Sequence, residues 1–121
     1  MIYMSENLLL NKSKEFAVHI IKFCDDLRNC VAIREQLIRC GTSIGANLHE
    51  AQYAQGKADF FSKIKIALKE CHETEYWLEL LYKSQKISIS NYDELSAEAG
   101  VIRRMLIKSC VTIEENLKNK K

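Results

Sequence analysis

The sequence predicts an all-α protein: an antiparallel, up-down-up-down four-helix bundle. The 121-residue chain has no proline and four glycines, whereas a β-sandwich or barrel needs many turn residues. Its composition, 47% apolar and 28% charged, is typical of a folded domain rather than a disordered chain. Apolar residues recur at helical spacing in four segments, and the short connections between them favour antiparallel neighbours. With no repeat or composition break, we expect a single domain over residues 1–121.

The first two helices are predicted at about Ser5–Leu27 and Ile33–Tyr53. Steps of three and four residues place one apolar set on a single face of the first helix: Phe16, Ala17, Ile20, Ile21, Cys24 and Leu27. A seam with the same steps runs along the second helix: Leu37, Gly41, Ile44, Leu48 and Ala51. A glycine inside a helix costs about 1 kcal/mol relative to alanine. We therefore expect a neighbouring backbone to approach closely at Gly41 and Gly45.

The third and fourth helices follow Gly56, which marks a break. The third is predicted at about Lys57–Lys83, with this seam: Phe60, Ile64, Ala67, Cys71, Thr74, Leu78 and Leu81. The fourth begins near Ser90 or Asn91, where the pairs Ser90/Asp93 and Asn91/Glu94 resemble capping boxes. Its seam runs on to the end of the chain: Leu95, Ala99, Ile102, Leu106, Ser109, Ile113 and Leu117.

Charge and cysteine content set the broad class. The net charge of +2 is too balanced to identify a nucleic-acid-binding protein by itself. The five cysteines are an odd number, and the sequence starts with no secretory signal pattern. No apolar stretch reaches the ~18 residues that a membrane span needs. We therefore expect reduced thiols, a cytoplasmic protein and no membrane partner.

No motif for catalysis or metal binding is present. The histidines, His19, His49 and His72, form no CxxC, HExxH or Glu-x-x-His pattern with their neighbours. We predict no catalytic residue, no cofactor and no metal site, and a metal site assembled from different helices stays open as the alternative. Four carboxylates cluster on the third helix: Glu70, Glu73, Glu75 and Glu79. They predict a buried polar network or an ion pair between subunits rather than a di-iron site, which needs Glu-x-x-His pairs on two helices.

The third helix carries a second apolar face. With Leu78 at the centre of the core face, Tyr76 and Leu80 fall almost opposite, since each residue turns a helix by ~100°. Trp77 lies to one flank. These three residues predict an oligomer interface, although scattered exposed apolar residues are the alternative.

The same helix carries a row of lysines on its outward side. Lys65, Lys69 and Lys83 lie there, near Tyr76. Such a basic stripe beside an aromatic residue could hold a phosphate backbone. A solvated helix face is the alternative.

Two stretches resemble a known family. They are residues 43–51, Ser-Ile-Gly-Ala-Asn-Leu-His-Glu-Ala, and residues 59–81, from Asp-Phe-Phe-Ser-Lys to Glu-Leu-Leu. They look like the four-helix-bundle proteins named for reading frames in the intervening sequences of bacterial 23S ribosomal RNA genes. Asn47 and Glu50 align with the signature Ser-Ile-Pro-x-Asn-Ile-Ala-Glu-Gly of that family. Gly45 replaces its proline and Ala51 its final glycine.

The resemblance implies a ring-like homopentamer and no established catalytic residue. The family is related to the accessory proteins of diversity-generating retroelements, which bind a reverse transcriptase and nucleic acid. It therefore implies RNA, or a reverse transcriptase or other nucleoprotein, as a partner besides further copies of the chain. We also expect Asn47 and Glu50 to form a structural polar contact between helices, because a partly buried amide and carboxylate need partners.

Together these observations predict a non-enzymatic scaffold that binds RNA or a nucleoprotein. The positions expected to contact nucleic acid are Arg34, Arg39, Lys57, Lys63, Lys65 and Lys69. The alternative is a protein-interaction module without a nucleic-acid role, whose partner docks on Tyr76, Trp77 and Leu80 or inside the ring. A third hypothesis is an enzyme or metal protein.

Overall fold

The computed structural model describes residues 4–119, which form four α-helices. Their bounds are α1 Met4–Asp26, α2 Val31–Ala51, α3 Lys57–Lys83 and α4 Ile89–Lys118. Each helix packs against its neighbours in the cyclic order α1, α2, α3, α4, as in an up-down bundle. The predicted fold class is confirmed. The bounds of α3 match the prediction, and those of the other helices differ by one or two residues. Residues 1–3 and 120–121 of the predicted domain lie outside the described part.

The core is built mostly from the predicted seams, but Ile21 of the α1 set is 45% exposed and lies outside it. Phe16 and Ile20 of α1, Leu37 of α2, Leu78 of α3 and Leu106 of α4 are at most 1% exposed. Thr74, the polar member of the α3 seam, is also buried and donates its hydroxyl to the Glu70 carbonyl at 2.8 Å. The seams therefore fix which side of each helix faces solvent. Within residues 4–119, no helix is both long and apolar enough to cross a membrane.

The turn between α3 and α4 is set by backbone hydrogen bonds. Lys86 N donates to Leu81 O at 2.9 Å and Gln85 N to Tyr82 O at 3.0 Å, the two bonds of a Schellman motif. Gln85 occupies the left-handed position of that motif with φ 62. The side chain of Ser88 then accepts a 3.0 Å hydrogen bond from Asn91 N. The capping residue predicted at Ser90 or Asn91 is therefore wrong, because Ser88 is the last extended residue before α4.

The glycines of α2 lie against α1. A Cβ atom on Gly45 would lie 3.5 Å from the carbonyl carbon and oxygen of Ser13. The expected backbone approach is thus confirmed at Gly45. A Cβ atom on Gly41 would instead meet a side chain, 3.1 Å from Cγ2 of the buried Ile20. The two glycines therefore differ in how much room a methyl group would find.

We predict opposite roles for these glycines in stability. Gly45→Ala should raise the free energy of unfolding by about 0.5–1 kcal/mol, because the new Cβ makes ordinary contacts while the helix gains propensity. Gly41→Ala should be less stable than Gly45→Ala, because Ile20 must shift within a close-packed core. Urea denaturation of both variants checks this. Equal stabilisation by the two substitutions would contradict it.

Candidate interaction surface on the third helix

The candidate site is built on α3, whose carboxylates are paired within the chain. Arg39 of α2 places Nη1 2.9 Å from Glu70 Oε2, and its Nη2 contacts Glu73. Trp77 donates its indole N–H to Glu73 Oε2 at 3.0 Å. We call these four residues the Arg39 network. The side chain of Glu70 is only 11% exposed, so this carboxylate needs the partner that Arg39 provides.

Hydrogen bonds within the Arg39 network favour the charged forms of Arg39 and Glu73. The hydrogen bond from Arg39, followed by that from Trp77, lowers the pKa of the Glu73 carboxyl. The same hydrogen bond to Glu73 raises the pKa of the Arg39 guanidinium. Both groups therefore stay ionised at neutral pH. Of the two arrangements that the glutamate cluster predicts, the structure contains the polar network.

The remaining acidic residues of α3 are also engaged. Arg103 of α4 places Nε 3.0 Å from Glu75 Oε1, and Lys83 lies 3.8 Å from Glu79. Asp59 accepts a 3.1 Å hydrogen bond from Gln55 N just before the helix. These contacts and the Arg39 network involve every acidic residue that α3 carries.

The six predicted nucleic-acid contacts fall into two groups. Arg39 belongs to its network, Lys63 pairs with Glu50 at 3.2 Å, and Arg34 donates to Leu27 O at 3.1 Å near the end of α1. The structure thus gives these three cations partners within the chain. The other three predicted positions are exposed, and no ion pair involves them among residues 4–119. We call this group the outward lysines: Lys57, Lys65 and Lys69.

Helix α4 extends the basic surface. Arg104 and Lys108 are exposed one turn apart, and neither takes part in an ion pair within the described residues. Lys65 of α3 lies near Cys110 of α4: burial raises the pKa of this thiol, and the charge of Lys65 partly offsets that rise. The Lys65 ammonium itself lies over the Phe61 ring, 4.8 Å from its centre. Sequence analysis missed Arg104 and Lys108, although their four-residue spacing on an outward face was a usable signal.

The predicted oligomer interface is exposed to different extents along its length. Tyr76 is 53% exposed, and its ring meets that of Trp77 edge-on with centroids 5.0 Å apart. Trp77 and Leu80 are half-buried, so Leu80 points away from the core less fully than predicted. Large exposed apolar residues also occur on the other three helices, for example Val18 of α1, Val31 of α2 and Val111 of α4. The second apolar face is therefore not confined to α3.

The structure places Asn47 differently from the prediction. Its side-chain amide donates to Ser43 O within α2 at 2.8 Å, because a half-buried amide on a helix can reach the carbonyl one turn earlier. Glu50 does bridge two helices, through its pair with Lys63 of α3. The interhelical contact at this point is thus made by Glu50 and Lys63, not by Asn47 with Glu50.

The cysteines are free thiols packed at or near the core. Burial raises the pKa of Cys24 and of Cys40 to about 11 and that of Cys71 to about 12. These three thiols are therefore neutral at pH 7, the form that is a poor nucleophile. They behave as small apolar side chains.

One cluster of potential metal ligands lies away from this surface. His19 of α1 meets Glu94 and Glu98 of α4, with the ligand atoms all within 4.8 Å of one another. Sequence analysis could not bring them together, because His19 and Glu98 are 79 positions apart.

The comparisons with known proteins identify the family. The sequence model described as 23S rRNA-intervening sequence protein matches residues 5–108. The chain belongs to this family. A crystal structure of a family relative, a protein of unknown function from the S23 ribosomal protein family of Bacteroides thetaiotaomicron, is 43% identical with a TM-score of 0.83. That match covers 88% of this chain and 98% of the other. No curated protein matches the chain.

The Arg39 network should carry a measurable part of the stability of this family member. Arg39→Met keeps most of the side-chain volume but leaves the nearly buried Glu70 without its cation. We expect the free energy of unfolding to fall by about 1–2 kcal/mol, as for other buried polar groups that lose a partner. Lys83→Met is the matched control; it breaks an exposed pair and should change stability by less than about 0.5 kcal/mol.

The same variant has a defined pH dependence. The lowered pKa of Glu73 contributes stability above the ordinary carboxyl pKa, and this contribution is lost as the pH falls through the folded-state value. The difference between wild type and Arg39→Met should therefore shrink on acidification. Urea denaturation across acidic pH measures it, and a pH-independent difference would contradict the assignment.

Proposed function

We propose that this protein is a non-enzymatic, homo-oligomeric helical scaffold, forming a pentamer, that binds RNA or a nucleoprotein along the outward face of α3. One observation carries the proposal. The acidic residues of α3 are held in contacts within the chain, whereas Lys57, Lys65 and Lys69 stay exposed without an ion pair among residues 4–119. Residues 57–69 also carry four lysines against one carboxylate, Asp59, so this half of α3 is positive even though the chain carries only +2.

The arrangement of these cations suits a phosphate backbone. Lys65 and Lys69 are one turn apart, a rise of ~6 Å along the helix. Arg104 and Lys108 have the same spacing on the neighbouring helix, and packed helices lie ~8–10 Å apart. Such a patch engages phosphates through charge and not through base identity. We therefore expect recognition of RNA shape rather than of a sequence.

The proposed oligomer interface leaves this patch free. Tyr76 is seven residues beyond Lys69, which is ~10 Å along the helix. Tyr76 and Trp77 join an apolar body to a polar tip, the kind of side chain enriched in interfaces. Copies joined through this half of α3 would keep the outward lysines in solvent. A pentamer would carry five times the charge of one chain, +10.

A protein partner is the second candidate function. The observation that favours it is the Tyr76–Trp77 pair, an exposed aromatic edge that could dock another protein. The free thiols are consistent with a cytoplasmic location for either function.

RNA binding tests the first proposal. Affinity for a structured RNA should fall by on the order of 10³-fold between about 50 and 200 mM salt. The double variant Lys65→Ala/Lys69→Ala should weaken binding and reduce the slope of log K against log salt by roughly 1.5–2, because two phosphate contacts are lost. Fluorescence anisotropy at several salt concentrations measures both quantities.

The matched control removes the same charge from α1. Lys14→Ala/Lys22→Ala, at two exposed lysines of that helix, should leave the salt slope nearly unchanged. An equal loss in both double variants would show that only net charge matters. Absence of binding by the wild-type protein at low salt would exclude RNA binding. Recovery of one protein partner after nuclease treatment would then support the alternative.

The oligomer interface can be tested separately. Tyr76→Asp places a charge in the proposed interface, so the solution mass should fall from 70 kDa, five times the chain mass of 14.0 kDa, towards that of one chain. Tyr53→Asp is the matched control, since Tyr53 is 73% exposed but lies beyond the end of α2. Light scattering gives the mass and circular dichroism the helicity. A folded Tyr76→Asp variant with unchanged mass would contradict the interface.

A further inference from the structure

We propose that His19, Glu94 and Glu98 form a binding site for a first-row divalent transition-metal ion, such as Zn²⁺, at the seam between α1 and α4. Each residue offers a ligand atom, and these atoms all lie within 4.8 Å of one another. The two glutamates are one turn apart on α4, so both carboxylates project from the same face. The imidazole reaches them from a different helix.

The distances around the imidazole define the cluster. His19 Nδ1 is 2.5 Å from Glu98 Oε1, and Nε2 is 3.7 Å from Glu94 Oε1. Zn²⁺ needs ligand distances of about 2.0–2.2 Å to imidazole nitrogen and carboxylate oxygen. The two carboxylates lie at different ring nitrogens, so the proposed site requires the glutamate side chains to rotate until both reach an ion held by one nitrogen. Two carboxylates also balance the charge of a divalent ion.

The ligand types select the class of metal. Mg²⁺ and Ca²⁺ prefer all-oxygen sites, whereas an imidazole nitrogen with carboxylates suits Zn²⁺ and its first-row neighbours. No cysteine belongs to the cluster. Three protein ligands leave one position of a tetrahedral ion open, as in sites that also bind water or a substrate.

The surroundings allow an ion to enter. The side chain of His19 is 30% exposed, that of Glu98 35% and that of Glu94 61%. His19 also lines an open cavity of about 330 Å³ beside the start of α4. Lys22 and Asp26 line the same cavity, so the His19 side of the cluster borders an open space with charged groups in its lining.

A bound ion would join the two helices that contact each other least. The contact between α1 and α4 is the smallest of the four helix–helix contacts. A metal coordinated by His19 and both glutamates would link them directly. Because an ion that binds only the folded chain stabilises it by mass action, uptake should raise the melting temperature.

Cobalt(II) provides the test, because it occupies zinc sites and absorbs visible light. The full chain is stripped with a chelator and titrated with Co²⁺ alone. We expect one Co²⁺ per chain, a visible absorption band, a higher melting temperature and no near-ultraviolet thiolate-to-cobalt band. His19→Gln and Glu98→Gln should each abolish Co²⁺ uptake, the visible absorption band and the rise in melting temperature. Glu94→Gln, at the most exposed ligand, should weaken binding at least about tenfold.

His72→Gln is the matched control. His72 is an exposed histidine of α3 that lies 3.9 Å from Glu75, and its loss should leave Co²⁺ uptake unchanged. Circular dichroism confirms that each variant is folded. The proposal is overturned by a wild-type chain that takes up no Co²⁺, by undiminished uptake in a folded His19→Gln variant, or by a thiolate band that places the ion on cysteines. In the first case the cluster is an imidazole held between two carboxylates without a metal.

Discussion

The pairing of Arg39 with Glu70 and Glu73 is the interaction on which the surface of this bundle depends. Glu70 projects towards α2 at a point that is almost buried, where a lone carboxylate would be costly. Arg39 meets that need from α2 and also reaches Glu73, which in turn accepts the Trp77 indole. This network ties α2 to α3 and, with the α3 seam, fixes the side of α3 that faces outward. The exposed lysines and Tyr76 lie on that side as a consequence.

The bundle is packed unevenly around its axis. On one side, α1 approaches α2 closely enough that Gly45 lies against the backbone of Ser13. On the other side, α1 contacts α4 least, and there His19 lies between Glu94 and Glu98. Close apolar packing leaves no room for a ligand, whereas the looser seam holds polar groups and a neighbouring cavity. The two seams of α1 thus have different physical characters: one is closely packed, and the other holds the polar cluster at which we propose a metal ion binds.

The fold was predictable from the sequence because periodicity within one helix reports which residues are buried. The α3 seam and both ends of that helix follow from spacing and from Gly56. The cap of α4 was misplaced because Ser88, Ser90 and Asn91 are all good capping residues, and the preceding turn decides between them. Spacing within a helix does not show which side chains pair with those of another helix. Arg39 is a surface cation by sequence alone, and its partner Glu70 lies 31 positions away.

The candidate site could be predicted only in part for the same reason, because spacing within one helix does not show contacts between helices. Lysines on one face of α3 can be recognised from spacing, but which of them keep a free charge depends on neighbours such as Glu50 on α2. Gly100 shows a related effect. Its missing side chain leaves room for the guanidinium of Arg104, which lies 3.3 Å from where a Cβ would be. The Glu50–Lys63 pair involves a second helix, and the Gly100–Arg104 contact, although it lies within α4, depends on where a flexible side chain ends.

The central claim is that RNA lies along the outward face of α3. Ultraviolet cross-linking of a bound structured RNA, followed by sequencing of the modified peptides, tests it most directly. The account predicts cross-links in the peptides that carry Lys65 and Lys69, with weaker ones around Lys108. Cross-links confined to α1, or none from a complex that binds at low salt, would contradict it.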